Sequence, residues 1–324
     1  MRKKAIRNGF EGISKCFIIL LALFVCLQVV GVCVFAEGPV NDDYQRWIEP
    51  KTGMEFVKVP AGCFTMGSPP GETGRDTDEG PQHEVCLDGF WIGRFEVTVR
   101  EFRIFVEKSG YKTEAEREGF SWIYTGSWEK RKGFSWRRPG FVQGDDYPVV
   151  NVSWNDAKKM AEWLSKETGR HFSLPTEAQW EYACRGGTTS SRFWGTDPGL
   201  ACKFANVADI SAKSRFPAWQ IHQCDDGFVF TAPVGSFKPN PYGLYDMLGN
   251  VWEWCEDTYL VKGYCKFKRV TRDPLVKKNG IPDIVIRGGS WYSRPRYVRC
   301  ASRDHLHDSH RRGNDVGFRL VILP

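Results

Sequence analysis

The sequence predicts an α+β fold, a single compact loop-rich domain, and three observations carry that prediction. Three segments have helical periodicity behind capping signals, at Thr98–Gly110, Ser153–Gly169 and Thr176–Gly187. Two early stretches, Met54–Met66 and Val85–Val97, are rich in Val and Phe and read as strands. Beyond residue 188 regular periodicity fades, yet Trp194, Trp219, Trp252, Trp254 and Trp291 remain. So many large aromatic rings are not left in water, so this half reads as packed irregular backbone rather than disorder.

Each helix has a start and a stop. Thr98 and Glu101 form a capping-box pattern, Phe102, Phe105 and Val106 follow at helical spacing, and Gly110 ends the run. Ser153 with Asp156 opens the second helix, with Ala157, Met160, Ala161 and Leu164 on one face. Thr176 with Gln179 opens the third, placing Trp180, Ala183 and Cys184 on a buried face before Gly186-Gly187. Residues 37–52 are polar and read as a tether, so the domain is expected over 53–324.

The first 36 residues follow a different logic. Arg2, Lys3, Lys4, Arg7 and Lys15 precede an apolar run from Cys16 to Phe35, and Val34-Phe35-Ala36 offers a cleavage site. That is the layout of a signal peptide, 1–36, or of an uncleaved membrane anchor. Export to a periplasmic or extracellular space is therefore expected. Val32 before Cys33 does not suit a lipoprotein. The formal charge is +6, but this segment holds five basic side chains against one acidic. The remainder is close to neutral, which argues against nucleic acid as a partner and leaves membrane contact to the N-terminal segment alone.

Of eleven cysteines, Cys16, Cys26 and Cys33 lie in the leader. The other eight, an even number in an exported chain, suggest disulfides. Cys63–Cys86, Cys202–Cys224 and Cys255–Cys265 are suggested by nearness in sequence. With no CxxC spacing, a zinc ribbon is not expected.

Three ordered blocks, LPTEAQWEYACRGG (174–187), GLYDMLGNVWEW (243–254) and RGGSWYS (287–293) with its GFRL ending, resemble the formylglycine-generating enzyme (sulfatase-modifying factor) family. The resemblance runs from about residue 53 to 321 and implies that family's fold, related to the C-type lectin fold. It also implies two calcium sites: Asp246, Gly249, Val251 and Glu253, and Asn206, Val207, Asp226 and Phe228. The residue types suit the ion, since calcium takes carboxylate and main-chain carbonyl oxygens. The family's conserved disulfide falls on Cys184 and Cys300, while a second falls on Ala161 and Leu320 and is lost.

The resemblance breaks where the chemistry sits. After RGGS, the family's enzymes place two cysteines that bind copper(I), a soft ion matched to sulfur. Ser293 occupies the first position, and a loop about three residues shorter removes the second. Copper and ordinary formylglycine formation are therefore not expected. The related sulfoxide synthases take iron through an added helical domain that this chain lacks. The residues left around the expected pocket are Ser290, Trp291, Tyr292, Ser293 and Arg294. Nearby, His305, His307 and His310 form a possible transition-metal set, for iron or another such ion, opposed by the reading of a polar loop. Aromatics among cations at 120–141 suit either a recognition loop or core packing.

Three functions follow. One is a divergent modifying or oxidative enzyme acting on a protein or peptide. The second is a calcium-stabilised lectin-like module binding a protein, peptide or glycan. The third is an accessory factor in maturation of a periplasmic redox enzyme.

Overall fold

A computed structural model describes residues 44–324 apart from 268–269, 278–282 and 308, so the leader expected at 1–36 lies outside the described residues. Along the chain come β1 (Arg46–Ile48), β2 (Glu55–Val59), β3 (Gly62–Met66), β4 (His83–Leu87) and β5 (Phe90–Gly93). Then follow α1 (Val99–Ser109), α2 (Glu114–Glu118), β6 (Phe120–Tyr124), β7 (Trp128–Lys132), α3 (Trp154–Thr168), β8 (His171–Ser173), α4 (Glu177–Arg185) and α5 (Ile210–Lys213). The C-terminal part supplies β9 (Trp252–Thr258), β10 (Thr271–Arg272), β11 (Ile284–Arg287), β12 (Arg303–Leu306), β13 (Val316–Gly317) and β14 (Val321–Leu323). Val40–Pro324 forms one compact unit.

The capping expectations hold. Thr98, Ser153 and Thr176 each accept a hydrogen bond from the backbone N–H three residues on, and that third residue's side chain returns to the cap. Gly110, Gly169 and Gly186 each close a helix in the left-handed conformation, which costs glycine nothing sterically. A fourth capping box, Thr113 with Glu116, starts α2.

The two early Val- and Phe-rich stretches do form strands, but each divides between sheets. β2 and β5 join β1, β14 and β8 in a five-stranded sheet, whereas β3 and β4 pair with β10. Part of the expected tether is thus built into the fold, since Arg46–Ile48 pairs antiparallel with β2. The region beyond residue 188 is also more regular than its pattern suggests. A four-stranded sheet in the order β12-β11-β9-β13 lies there. All seven residues of β9 are buried, so the alternation that marks a half-exposed strand is missing.

Two apolar clusters flank these sheets. One gathers Val57, Leu87, Trp180, Leu244, Met247 and Val285. The other gathers Phe56, Phe102, Trp136, Met160, Trp254 and Phe318. Ala161 and Leu320, where the second family disulfide would fall, are both fully buried in this second cluster. Among the described residues no helix is long and apolar enough to cross a membrane.

Candidate functional site

The loop that leaves β11 builds the site. Arg287 ends the strand with its side chain fully buried. Its guanidinium donates to the carboxylate of Glu181 on α4 and to the carbonyls of Cys300, Ala301 and Ser302, at 3.1, 2.9 and 2.5 Å for the three carbonyls. One side chain therefore ties both ends of the 288–302 loop to α4. Gly288 follows at φ +101°, where a Cβ would lie 3.1 Å from Trp180 and 3.2 Å from the Met247 carbonyl. A tight turn comes next. The Ser293 N–H donates to the Ser290 carbonyl at 2.8 Å, and the Ser290 N–H donates to Ser293 Oγ at 2.9 Å.

This turn drives Trp291 inward and leaves Tyr292 at a rim. Trp291 is fully buried, and its ring edges meet Tyr124, Phe141 and Phe230. Tyr292 stacks on Tyr124 of β6 with centroids 5.2 Å apart, and Trp128 of β7 meets it edge-on. Trp219 donates from its indole nitrogen to the Tyr124 hydroxyl at 3.2 Å. Arg294 donates to Gln220 Oε1 at 2.9 Å and lies over the Tyr297 ring. Tyr124, Trp219, Tyr292 and Arg294, together with Ser293 and Asp304, line a cavity of about 540 Å³. The aromatic segment 120–141 divides its labour: Tyr124 faces this cavity and Trp128 a smaller adjoining one, whereas Trp136 packs on Phe102 in the core.

Asp304 and Asp315 share this smaller cavity, of about 80 Å³. Burial, with the charge of Asp304 added, pushes Asp315 up to about 7. Burial likewise raises Asp304. Burial also carries the Tyr292 hydroxyl well above the usual phenol range.

Beneath the cavity lie the two turns expected to hold calcium, packed against each other. Asp246 and Asn250 take positive φ values of 55° and 56°, and Gly249 sits at +81° with the Asn206 carbonyl where its Cβ would be. Asn250 accepts the N–H of Ala232 on its side chain, and its carbonyl accepts the Trp291 N–H at 2.8 Å. Its own N–H donates to the Asn206 carbonyl at 2.8 Å. Both turns therefore brace Trp291, the buried neighbour of the cavity-lining Tyr292.

The donor sets fit a hard dication. Asp246, Glu253 and Glu96 are all buried, with Arg319 as the buried cation paired to Glu253 by two hydrogen bonds of 2.7 Å. Asp246 Oδ1 and both Glu96 oxygens are buried without a protein partner. Burial and the charge of Asp246 push the Glu96 carboxyl well up, and burial pushes Asp246 to about 6. In the other turn Asn206 Oδ1 is similarly orphaned. Asp226 there accepts the N–H groups of Val207 and Phe228, and burial raises it to about 7. Orphaned buried oxygens facing excess negative charge are what a bound cation relieves. Glu96 is a residue that sequence reasoning missed, because it is a lone carboxylate between β5 and α1 with no motif around it.

The cysteines answer in three ways. Cys63–Cys86 and Cys202–Cys224 are disulfides, as their spacing suggested. Cys255 and Cys265 are both thiols, because Cys255 points from β9 into the core while Cys265 is exposed. Cys184 and Cys300 are brought together, with their sulfurs 3.1 Å apart, but stand as two buried thiols rather than the expected bridge. Closing that bond requires an approach of about 1 Å.

The three candidate histidines do not converge. His305 and His307 gather around Asp283, whereas His310 pairs with Glu114 of α2 at 2.7 Å. His310 faces α2 rather than Asp283, so closeness in sequence misleads here.

Residues 45–323 match the sulfatase-modifying factor enzyme 1-like domain. The chain belongs to that family. It is 35% identical over 294 residues to the formylglycine-generating enzyme of Mus musculus, covering 82% of this chain and 74% of that protein. It is 36% identical over 243 residues to the inactive C-alpha-formylglycine-generating enzyme 2 of Bos taurus, covering 66% of this chain and 75% of that one. Among solved structures, PvdO from Pseudomonas aeruginosa matches with a TM-score of 0.72 at 31% identity, over 86% of this chain and 98% of that chain. The family's copper does not fit these residues. Among the described residues no sulfur lines the cavity, and the Ser293 hydroxyl that replaces the first thiolate accepts a backbone hydrogen bond inside its turn.

Proposed function

We propose that this chain is an exported ligand-recognition member of the family, whose aromatic cavity takes a segment of a protein or peptide. Oxidation of cysteine through a copper–thiolate pair is not its chemistry. One observation carries the reading: the cavity remains at the turn after RGGS, but Ser293 is committed to holding that turn. What faces the ligand is instead Tyr124, Trp219, Tyr292, Arg294 and Asp304. Tyrosine and tryptophan give contact area with a polar tip, and opposite charges at Arg294 and Asp304 suit a peptide carrying both. The two turns below are proposed to hold structural calcium, stiffening the cavity wall through Asn250. Two disulfides support an oxidising compartment.

A modifying reaction on the bound segment is the second reading, and the Asp304–Asp315 pair favours it. Two neighbouring carboxyls, a half-exposed Asp304 and a buried Asp315 raised to about 7, are suited to exchanging a proton near neutral pH.

The test is saturable binding of the full chain to peptide and glycan arrays. Binding to peptides that weakens at least about tenfold in Tyr292→Ala and Arg294→Ala supports the proposal. Peptide binding that both variants retain removes the cavity from the account, and binding to glycans alone replaces the peptide reading with a lectin one.

A further inference from the structure

We infer that Asp283, His305 and His307 form a binding site for a divalent transition-metal ion, on the face of the β11–β12 pair that points away from the aromatic cavity. The antiparallel register creates it. Ile284 pairs with Leu306 and Val285 with His305, so Asp283 falls opposite His307. Side chains two apart in a strand share a face, which puts His305, His307 and Asp283 together. The same alternation sends Asp304 and Leu306 to the other side, where both line the small cavity beside the aromatic one.

The ligand atoms are already gathered. His307 Nδ1 lies 2.7 Å from Asp283 Oδ1, and His305 Nε2 lies 3.8 Å from Asp283 Oδ2. One atom from each of the three residues falls within 4.8 Å of the others. Ligand atoms bonded to one tetrahedral ion at about 2.0–2.2 Å lie roughly 3.3–3.6 Å apart, so small side-chain rotations from the observed 2.7 and 3.8 Å would close the site. His305 is held in place, since Tyr259 stacks on it with centroids 4.0 Å apart, and the Tyr259 hydroxyl donates to Asp78 at 2.7 Å. Such an anchored partner fixes the ring of a metal-binding imidazole. Two nitrogens and one carboxylate select zinc, nickel, cobalt or copper(II) over calcium, which prefers oxygen alone. His307 is 83% exposed, so the site is open to solvent and leaves coordination positions for water.

This site is independent of the cavity's function and of both calcium turns. An ion there would clamp the strand whose other face presents Asp304 to the cavity.

The experiment is titration of the untagged full chain, stripped with chelator and resupplied with calcium, with zinc and then cobalt(II), followed by calorimetry and visible absorption. One ion per chain with micromolar affinity is expected. His307→Ala and Asp283→Asn should each weaken it by at least about tenfold, while His310→Ala leaves it unchanged. Thermal melts in calcium show whether each variant is folded, and His305→Gln provides a second ligand loss if either unfolds. Affinity should also fall on acidification, because metal binding releases protons from its ligands. Failure to bind one ion per chain, or equal binding in the folded His307→Ala and Asp283→Asn proteins, overturns the inference.

Discussion

Replacing Arg287 by methionine tests how the site is held. Its guanidinium reaches Glu181 and three carbonyls of the 300–302 segment, and its plane lies over Trp180 with 5.4 Å to the ring centroid. Burial pushes the Glu181 carboxyl up, but Arg185 and Arg287 outweigh that and hold it below the usual range. Methionine fills similar volume and removes every donor. Breaking a buried ion pair from one side costs about 3–5 kcal/mol, and each carbonyl left dry adds about 1–3 kcal/mol. Some of this is recovered, because Arg185 still bonds Glu181 Oε1 at 2.8 Å and water can reach a loosened loop. A net loss of about 5 kcal/mol follows, a large share of a domain's usual stability. The midpoint of thermal unfolding should fall by roughly 10–20 °C. Urea unfolding followed by tryptophan fluorescence measures it. Arg287→Lys, which keeps the charge but not the fork, should fall in between. As a control, Arg272→Met removes an exposed partner of Asp88 and should change stability by less than about 1 kcal/mol. A methionine variant within about 1 kcal/mol of the parent would refute the claim that Arg287 pins the loop.

Other outcomes follow from the same structure. Asp315, raised to about 7 in the fold, stays protonated there at pH values where the unfolded chain has already ionised. Its contribution is therefore full below about pH 4 and lost as pH rises to about 7, so Asp315→Asn should match the parent near pH 4 and exceed it by roughly a few kcal/mol at pH 8. Equal pH profiles in denaturant melts would contradict this. Elemental analysis should find about two calcium ions per chain, falling by one in Asp246→Ala and in Glu96→Gln, and chelation should lower the melting temperature. Intact-mass measurement after thiol alkylation should show Cys265 modified in the native protein, with Cys255 reacting only once unfolded.

Much of the helical part was legible because it obeys local rules. Thr98, Ser153 and Thr176 announce their caps within four residues, and the apolar spacing behind them needs no tertiary context. α2 hides because its five residues carry no apolar period, although Thr113 and Glu116 repeat the same cap. β9 hides for the opposite reason, since Trp252–Thr258 is buried on both faces and loses the alternation that marks a strand. The site splits along the same line. Asp246 and Glu253 sit in a recognisable block, but Glu96 reaches them only through the fold. Asp283 stands more than twenty positions before His305 in the chain, yet the β11–β12 register makes them neighbours, while His310, closer in sequence, faces Glu114. Local chemistry can be read from order along the chain; non-local ligands depend on strand pairing that short-range patterns do not encode.

On the proposed reading the family's fold and cavity persist here without its copper–cysteine oxidation. The most direct test of that reading incubates a cysteine-bearing substrate peptide of the mouse enzyme with this chain, copper and oxygen, and reads the peptide by mass spectrometry beside the mouse enzyme. An unchanged cysteine is expected here, and formylglycine in the control. Catalytic conversion to formylglycine by this chain would contradict the reading.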